Sequence, residues 1–491
     1  MGSLSPATLP NAPNMPPPTA DNIVELLKYD IKVKVAGVDA DGILRGKIMA
    51  KEKFLSSIQS GFGFSSAVFG WDMHDTLFTH DVGLTQGGGY ADFIAVPDLT
   101  SFRRIPWENN IPFFLLHFIA GGEPVKACPR GMMKSLVQKL DDENYKAFSG
   151  VELEFTNFQT PTEDGYGPES KRPNLAASLL KNTPKALRPL TEGMFGYSIT
   201  RPVASKDYFH EVFDASAAFG CNVEGWHTES GGGVFEAALI VREAAEMADR
   251  VSLFKLLTKS IGIDHNVTPC FMAKPLHGMP GNSGHIHVSL TDKAGKNLFA
   301  RDERNPNARW PDIEYLSDTG YHFLAGVLDA LPDIMPLLAP TINSYKRFVE
   351  NFWAPVAITW GNEDRLSSIR IITPPVCKPS AVRFEIRIPG ADLHPHYALS
   401  AIFGAGLRGI KKKLEITVPP SAARTADDGP PTLLANTLEK ALERFSAPTS
   451  VARDIFDQEF VEFFTASRQH ELRLWREAVT DWEFNRYIET V

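Results

Sequence analysis

A chain of 491 residues, 43% hydrophobic and 22% charged, has the composition of a soluble globular protein with room for two domains and a large core. Its formal charge of −9 argues against nucleic acid as a partner, and the apolar run around Ile111 to Ala120 is too short to cross a membrane. Four cysteines (Cys128, Cys221, Cys270, Cys377) without CxxC spacing argue against a disulfide framework and a thiolate zinc site, and point to a reducing cytoplasm.

Taken in chain order, Met1 to Ala20 is rich in Pro and Ser and lacks the basic head and apolar core of a signal peptide, so a disordered tail is expected over residues 1–21. Gly2 does not open a myristoylation motif, because Pro6 stands where Ser or Thr is needed. Asn22 to Asp30 reads as a helix. Ile31 to Asp39 alternates with a period of two, and Asp41-Gly42 turns the chain into a second strand over Ile43 to Met49. Short strands and Gly-rich turns such as Gly87-Gly-Gly89 continue to about Pro124.

Pro129 to Asp141 carries Pro at a helix start and apolar residues at four-residue spacing. Gly150 to Phe155 is a strand with Glu152 and Glu154 on one face and Val151, Leu153 and Phe155 on the other. Thr160 to Pro173 reads as a surface loop; Asp207 to Ala218, Glu236 to Thr258 and Leu316 to Leu338 read as helices. Asn343 to Glu363 mixes Pro, Trp and Asn and resembles a closing loop. His394 to Lys412 is helical, Ala422 to Thr432 is a Pro, Asp and Gly insertion, and Thr437 to Ile488 is almost continuously helical.

The design of the Glu152 strand recurs twice. His285-Ile-His287-Val-Ser289 sets two imidazoles and a hydroxyl on one face, and Arg383-Phe-Glu385-Ile-Arg387 alternates charge with apolar residues. Each pattern alone is equally that of an amphipathic strand with a wet face. If the faces line one cavity, they bring together carboxylates, imidazoles and guanidiniums, the composition of a metal and phosphate site. Two histidines two apart supply one ligand and one hydrogen-bonding partner more readily than two ligands of one ion. The stretch from Glu224 through Glu229 and Ser230-Gly-Gly-Gly233 to Glu236 lets carboxylates converge across a flexible turn, and Gly278 to Gly284 leads directly into His285. Exposed ion pairs would account for any single arginine between Asn343 and Arg387.

Several motifs, in order, resemble the glutamine synthetase family: Gly150-x-Glu-x-Glu-Phe155, Val223-Glu-x-x-x-x-Glu229 followed by Glu236, Phe271-Met-Ala-Lys-Pro275, Ser283-Gly-His-Ile-His-Val-Ser-Leu290, Asn343-Ser-Tyr-Lys-Arg347, Ala354-Pro355 and Arg383-Phe-Glu-Ile-Arg387. The agreement runs from about Val33 to Glu483. It implies an α+β fold: a small β-grasp-like domain over 22–125, then a glutamine synthetase-type catalytic domain over 126–491, a funnel of antiparallel strands flanked by helices. It also implies self-association into stacked rings with shared active sites. By position, Glu154, Glu229 and Glu236 would hold one Mg²⁺ or Mn²⁺, and Glu152, His285 and Glu385 another. Tyr197, Glu224, His287, Ser289, Arg370, Arg383 and the neighbouring Lys378 would serve ATP. Arg347, Arg365 and Arg387, beside Gly281, would face glutamate and the transferred phosphoryl group. The implied reaction phosphorylates the γ-carboxylate of glutamate; an amine then displaces phosphate, leaving an amide and ADP. Divalent ions and arginines offset the repulsion between the two anions.

Two departures fall where the nucleophile would bind. Family members that use ammonia have Phe-Asp-Gly-Ser-Ser in the first domain and a Glu just before Ala-Pro. Here Phe64-Ser-Ser-Ala-Val-Phe-Gly-Trp-Asp72 and Trp353 stand there. An indole offers an apolar or cation–π surface suited to an organic amine, and Trp353-Ala-Pro with Trp360-Gly-Asn-Glu-Asp-Arg365 resembles the glutamate–amine ligase branch, which includes γ-glutamylpolyamine synthetases. Asp72 or Asp75 is the alternative source of a carboxylate, and packing of the flap is the alternative role of Trp353. Val234 replaces the Gln usual in Gly-Gln-x-Glu. The expectation is a glutamate–amine ligase; the alternatives are glutamine synthetase proper, using ammonia, and a catalytically silent relative acting as scaffold or regulator.

Overall fold

Two sheets organise the chain, and the computed structural model describes residues 18–78, 89–161, 175–349 and 353–491 of it. The first sheet contains β1 (Lys32–Val38), β2 (Leu44–Ala50), β3 (Phe62–Ser65), β4 (Asp92–Ile105), β5 (Ile111–Ala120) and β6 (Glu123–Pro124), in the order β2-β1-β5-β4-β3 with β6 on β5. β1 and β5 run parallel and the other pairs antiparallel. The β1–β2 turn is fixed by Asp39, whose Oδ1 accepts from the backbone of Asp41 and Ile43 at 2.9 Å each.

The second sheet contains β7 (Lys146–Gln159), β8 (Val223–Thr228), β9 (Val234–Glu243), β10 (Val267–Cys270), β11 (Gly284–Thr291), β12 (Trp360–Asn362), β13 (Ile369–Ile372) and β14 (Arg383–Ile386). Its path is β12-β13-β14-β11-β7-β9-β8, with β10 on β7, and only β12 and β13 run parallel. One face of this sheet is apolar: Val151, Leu153, Phe155, Phe235, Ala237, Ile286, Val288, Phe384 and Ile386 are each at most 1% exposed. Helices Ala244–Asp264 and Asp318–Leu338 cover it, with Phe254 against Phe155 and Phe323 against Phe384. Burying a side chain of this size contributes about 1.5–3 kcal/mol, so this face anchors the sheet and leaves the other free for polar groups. Behind it, helix Pro395–Lys412 crosses Asp318–Leu338 closely, because a Cβ on Gly326 would meet the backbone of Gly409.

Several local expectations change. Glu236 to Thr258 is not one helix: residues 234–243 form β9, and the helix begins at Ala244. Phe235, Ala237 and Leu239 fit either period, and pairing with β7 selects the strand. The C-terminal stretch is four helices, Leu438–Ser446, Ala452–Ile455, Gln458–Glu477 and Asp481–Tyr487, with Pro448 in the first break. The first helix shrinks to Ile23–Leu26. Most of the expected tail, the Gly87–Gly89 turn apart from Gly89, and most of the Thr160–Pro173 loop lie outside the described residues.

Candidate active site

Residues paired directly across a sheet share a face, so the registers define a polar line. His227 on β8 lies opposite Glu236 on β9, and Glu236 lies opposite Glu154 on β7. Glu152, two residues along β7, lies opposite His285 on β11; His287 lies opposite Glu385 on β14, and Glu385 opposite Arg370 on β13. Six strands thus bring eight ionisable side chains onto the face opposite the apolar one.

The line contains two groups of metal-ligand type. In the first, Glu152, His285 and Glu385 present ligand atoms within 4.8 Å of one another. His285 Nδ1 stands 3.5 Å from Glu152 and 3.3 Å from Glu385, while its Nε2 is buried without a partner. Burial raises the cost of charge on Glu152, but the imidazoles of His285 and His287 outweigh it and hold the carboxyl far below its usual range. Glu385 is 1% exposed and also bonds the guanidiniums of Arg387 and, at 2.9 Å, Arg370. Burial works against its ionisation, yet His285 and Arg387 keep its pKa below the ordinary value.

In the second group, His227, Glu229 and Glu236 lie within the same limit. Glu154 stands beside them, its carboxylate accepting from the Ser283 backbone. Burial and the facing Glu236 push Glu154 up to about 7, and the bond to Glu236 raises His227 to about 9. Carboxylates crowded this closely without a cation repel one another. The donor set of carboxylate oxygens with one imidazole in each group fits a divalent cation.

The remaining expected residues fall in three classes. Arg383 donates to His287 Nδ1 at 3.2 Å, so Nε2 of His287 carries the proton that it gives to Glu152 at 3.0 Å. Tyr197 is 69% exposed and stacks on His227 at 4.4 Å, within electrostatic reach of Arg365, which is itself exposed. Glu224 occupies the bulge in β8 between Val223 and Gly225 and is exposed, and Ser289 lies on the His285 face of β11.

Others are held elsewhere. Arg347 is buried, and its guanidinium donates to the carbonyls of Ile388 at 2.8 Å and Arg387 at 3.1 Å. Gly281 packs against it, since a Cβ there would lie 2.9 Å from Arg347 Cγ. Lys378 is exposed at the N-terminus of the Pro379–Ala381 turn. Trp353 is 64% exposed with φ 59°, a left-handed conformation that a tryptophan rarely adopts. Asp72 is committed: it accepts from the backbone of His74 and Thr76 and from His470 Nε2 at 3.0 Å, and Asp75 pairs with Arg45 at 2.6 Å.

Two residues had no assigned role in the sequence. His227 precedes Glu229 by two, and strand periodicity alone would have put them on one face; Glu363, bonded to Arg370, had only its charge as a signal.

The family model described as "Glutamine synthetase, catalytic domain" matches residues 126–487. The chain is 39% identical over 464 residues to a type-1 glutamine synthetase of Dictyostelium discoideum, covering 94% of this chain and 84% of that one. It is 32% identical over 470 residues to a glutamate–isopropylamine ligase of a Pseudomonas species, covering 94% and 95%. Among solved structures, an ADP complex of the protein GmaS superposes with a TM-score of 0.76 at 23% identity, over 96% of this chain and all of that one, a likeness of fold. Ligases of this family use ATP and a divalent metal, and among the described residues no helix is long and apolar enough to cross a membrane. The chain belongs to the glutamine synthetase family of carbon–nitrogen-bond-forming ligases.

Proposed function

We propose that this ligase joins the γ-carboxyl of glutamate to an organic amine through γ-glutamyl phosphate, using ATP and two or more Mg²⁺ or Mn²⁺ ions. The observations that carry the choice of nucleophile are the commitment of Asp72 and Asp75 to His470 and Arg45 and, separately, the 64% exposure of the Trp353 indole. A caged ammonium ion needs free carboxylates; an alkylamine gains from an apolar or π surface. The glutamate–isopropylamine ligase among the relatives is consistent with this reading.

In it, Glu152, His285 and Glu385 hold one ion, and Glu154, Glu229 and Glu236, with His227 at the edge, hold the other. When bound, the ions supply charge neutralisation for the transferred phosphoryl group. Arg387 and Arg365 orient the two anions. Arg370, Arg383 and His287 face the nucleotide with Tyr197, Glu224, Ser289 and Lys378. Arg347 positions the backbone that follows Glu385 through the carbonyls of Arg387 and Ile388 that it holds, and packs against the Gly281 loop. The division into units at about residue 125 and the assembly into rings belong to the same reading. It is supported by the exposed aromatic and apolar side chains of Trp482, Phe484, Tyr487 and Ile488 in the C-terminal segment, a surface suited to a second copy of the chain.

The test is ADP release with ATP, Mg²⁺ and glutamate, comparing ammonium with isopropylamine, ethanolamine, putrescine, spermidine and aromatic amines. Turnover with an organic amine and little with ammonium supports the reading. A preference for ammonium favours the second reading, glutamine synthesis, which the 39% identity to a glutamine synthetase brings forward. No turnover with bound ATP would leave a silent scaffold.

A further inference from the structure

Glu363 stands at the edge of the second, catalytic sheet, directly after β12, and belongs to neither metal-ligand group. Gly361, two residues before it, lies opposite Arg370 on β13, and the Glu363 carboxylate comes back to that same arginine. Glu363 Oε2 accepts from Arg370 Nε at 3.1 Å and from Nη2, while Oε1 is buried without a partner. Among the described residues, Arg370 is therefore all that this side chain holds.

The backbone there adopts a conformation that glutamate seldom takes. Glu363 has φ 56°, in the left-handed region that glycine and asparagine occupy at less strain. The turn is fastened without help from the carboxylate. The Glu363 N–H donates to the Ile371 carbonyl at 2.9 Å, Asn362 N to Asp312 at 2.8 Å, Thr373 Oγ1 to Asn362 at 2.9 Å, and Leu366 N to Asp364 at 2.9 Å. A glutamate is not needed to make this bend; what it adds is the hold on Arg370.

That hold decides how Arg370 divides its donors. Its Nη1 donates to Glu385 Oε2 at 2.9 Å, so the guanidinium lies between an acid of the first metal-ligand group and an acid outside it. Burial works against the charge on Arg370, but Glu363 and Glu385 together outweigh it and raise the pKa. Of the five N–H groups of an arginine, Glu363 takes two and Glu385 one, which leaves one on each terminal nitrogen for an incoming anion. Without Glu363, Nε and Nη2 lose their partner. The guanidinium is then free to swing about its bond to Glu385, or to close on that carboxylate with two bonds and draw it from a metal ion.

We propose that Glu363 is a positioning residue that orients Arg370 for the nucleotide and keeps it from taking Glu385 out of the metal group. The inference rests on the ligase reading, in which Arg370 faces ATP. Acting through Arg370, Glu363 sets the affinity for the nucleotide and leaves that for glutamate alone.

The test is titration calorimetry of the full chain in Mg²⁺, with ATP and glutamate as separate probes, on Glu363→Ala, Glu363→Gln, Arg370→Met and the double variant Glu363→Ala/Arg370→Met. By charge alone, removing a carboxylate from the nucleotide side would tighten ATP. Orientation through Arg370 predicts the opposite: Glu363→Ala weakens ATP by about tenfold or more, as loss of a group that orients a ligating side chain does, while glutamate binding is unchanged. Glu363→Gln, whose amide oxygen still accepts from Arg370, restores most of the affinity. In the Arg370→Met background Glu363→Ala has no further effect, because the interaction it acts through is gone. Unchanged or tighter ATP binding in Glu363→Ala overturns the proposal. So do additive losses in the double variant, and equal losses for ATP and glutamate, the mark of a general structural change. A parent chain that binds no ATP overturns the ligase reading and this inference with it; a parent that binds ATP no better than Glu363→Ala overturns this inference alone.

Discussion

Two regions of buried charge in this molecule are built on opposite rules. Where the first sheet meets the C-terminal helix Gln458–Glu477, each acid has a counterpart, even Asp39, whose pKa burial and Asp41 raise to about 6: Asp41 with Arg468, Asp39 with Arg45 at 2.8 Å, Asp72 with His470 at 3.0 Å. On the polar face of the catalytic sheet the balance fails. Glu154 is pushed up to about 7 by burial and by Glu236, and His285 keeps a buried nitrogen without a partner. A matched cluster holds two parts of the chain in register. A mismatched one is unfavourable alone, and in the proposed reading a bound cation completes it.

The sharpest way to break this comparison is to remove one charge from each region. Glu385→Gln should lower turnover by a factor of about 10³ or more, as loss of a metal-ligand and charge-stabilising group does. Its melting temperature should fall as well, because Arg387 and Arg370 bond different oxygens of Glu385 and the amide can accept from only one of them. Turnover assayed beside thermal melts checks both halves, and retained activity would remove Glu385 from the site.

Arg468→Met should cost stability alone. It leaves Asp41 buried opposite nothing, and breaking such a pair costs about 3–5 kcal/mol. Denaturant midpoints measure the loss, and at temperatures where the variant stays folded, metal binding should be that of the parent protein. A stability change under 1 kcal/mol would show that water or Arg45 takes over the pairing.

Divalent metal sharpens the contrast from the other side. Mg²⁺ or Mn²⁺ at about a hundred times its dissociation constant should stabilise the fold by about 2.7 kcal/mol. Glu236→Gln should abolish part of that increment without lowering the metal-free melting temperature, since relief of the repulsion with Glu154 offsets the weakened bond to His227. Destabilisation of the metal-free variant would contradict the mismatch.

A further test concerns a charge belonging to neither region. Lys255, behind the sheet, donates to the Leu393 carbonyl at 3.0 Å, and burial, with Lys259, lowers its pKa from 10.5 to about 7. Between these values the unfolded chain binds a proton that the folded one does not, so this lysine's penalty is full below pH 7 and is relieved as pH rises. The stability of the parent minus that of Lys255→Met should therefore climb between pH 7 and 10, by at most about 1.4 kcal/mol per pH unit. A difference independent of pH would mean that Lys255 stays charged when folded.

Much of the candidate site was legible from strand periodicity. A period of two puts Glu152 with Glu154, His285 with His287, and Arg383 with Glu385 and Arg387 on one face whatever the strands pair with, because alternation is a property of the extended backbone. The same rule applied to His227 and Glu229 would have found the histidine of the second group. The β9 strand was not legible: Phe235 to Leu239 suits helix and strand alike, and the decision rests on β7, whose residues lie about eighty positions away.

The sequence by itself therefore determined which side chains are available and which share a face, together with the motifs that carry the family, since these depend on neighbours along the chain. Tertiary structure decided the rest: the register that sets Glu236 against Glu154 and Glu385 against Arg370, the turning of Arg347 onto two carbonyls, and the capture of Asp72 by His470. Each of these depends on which distant partner burial brings within 3 Å or so, and hydrogen bonds and ion pairs fall off too steeply with distance for local pattern to decide them.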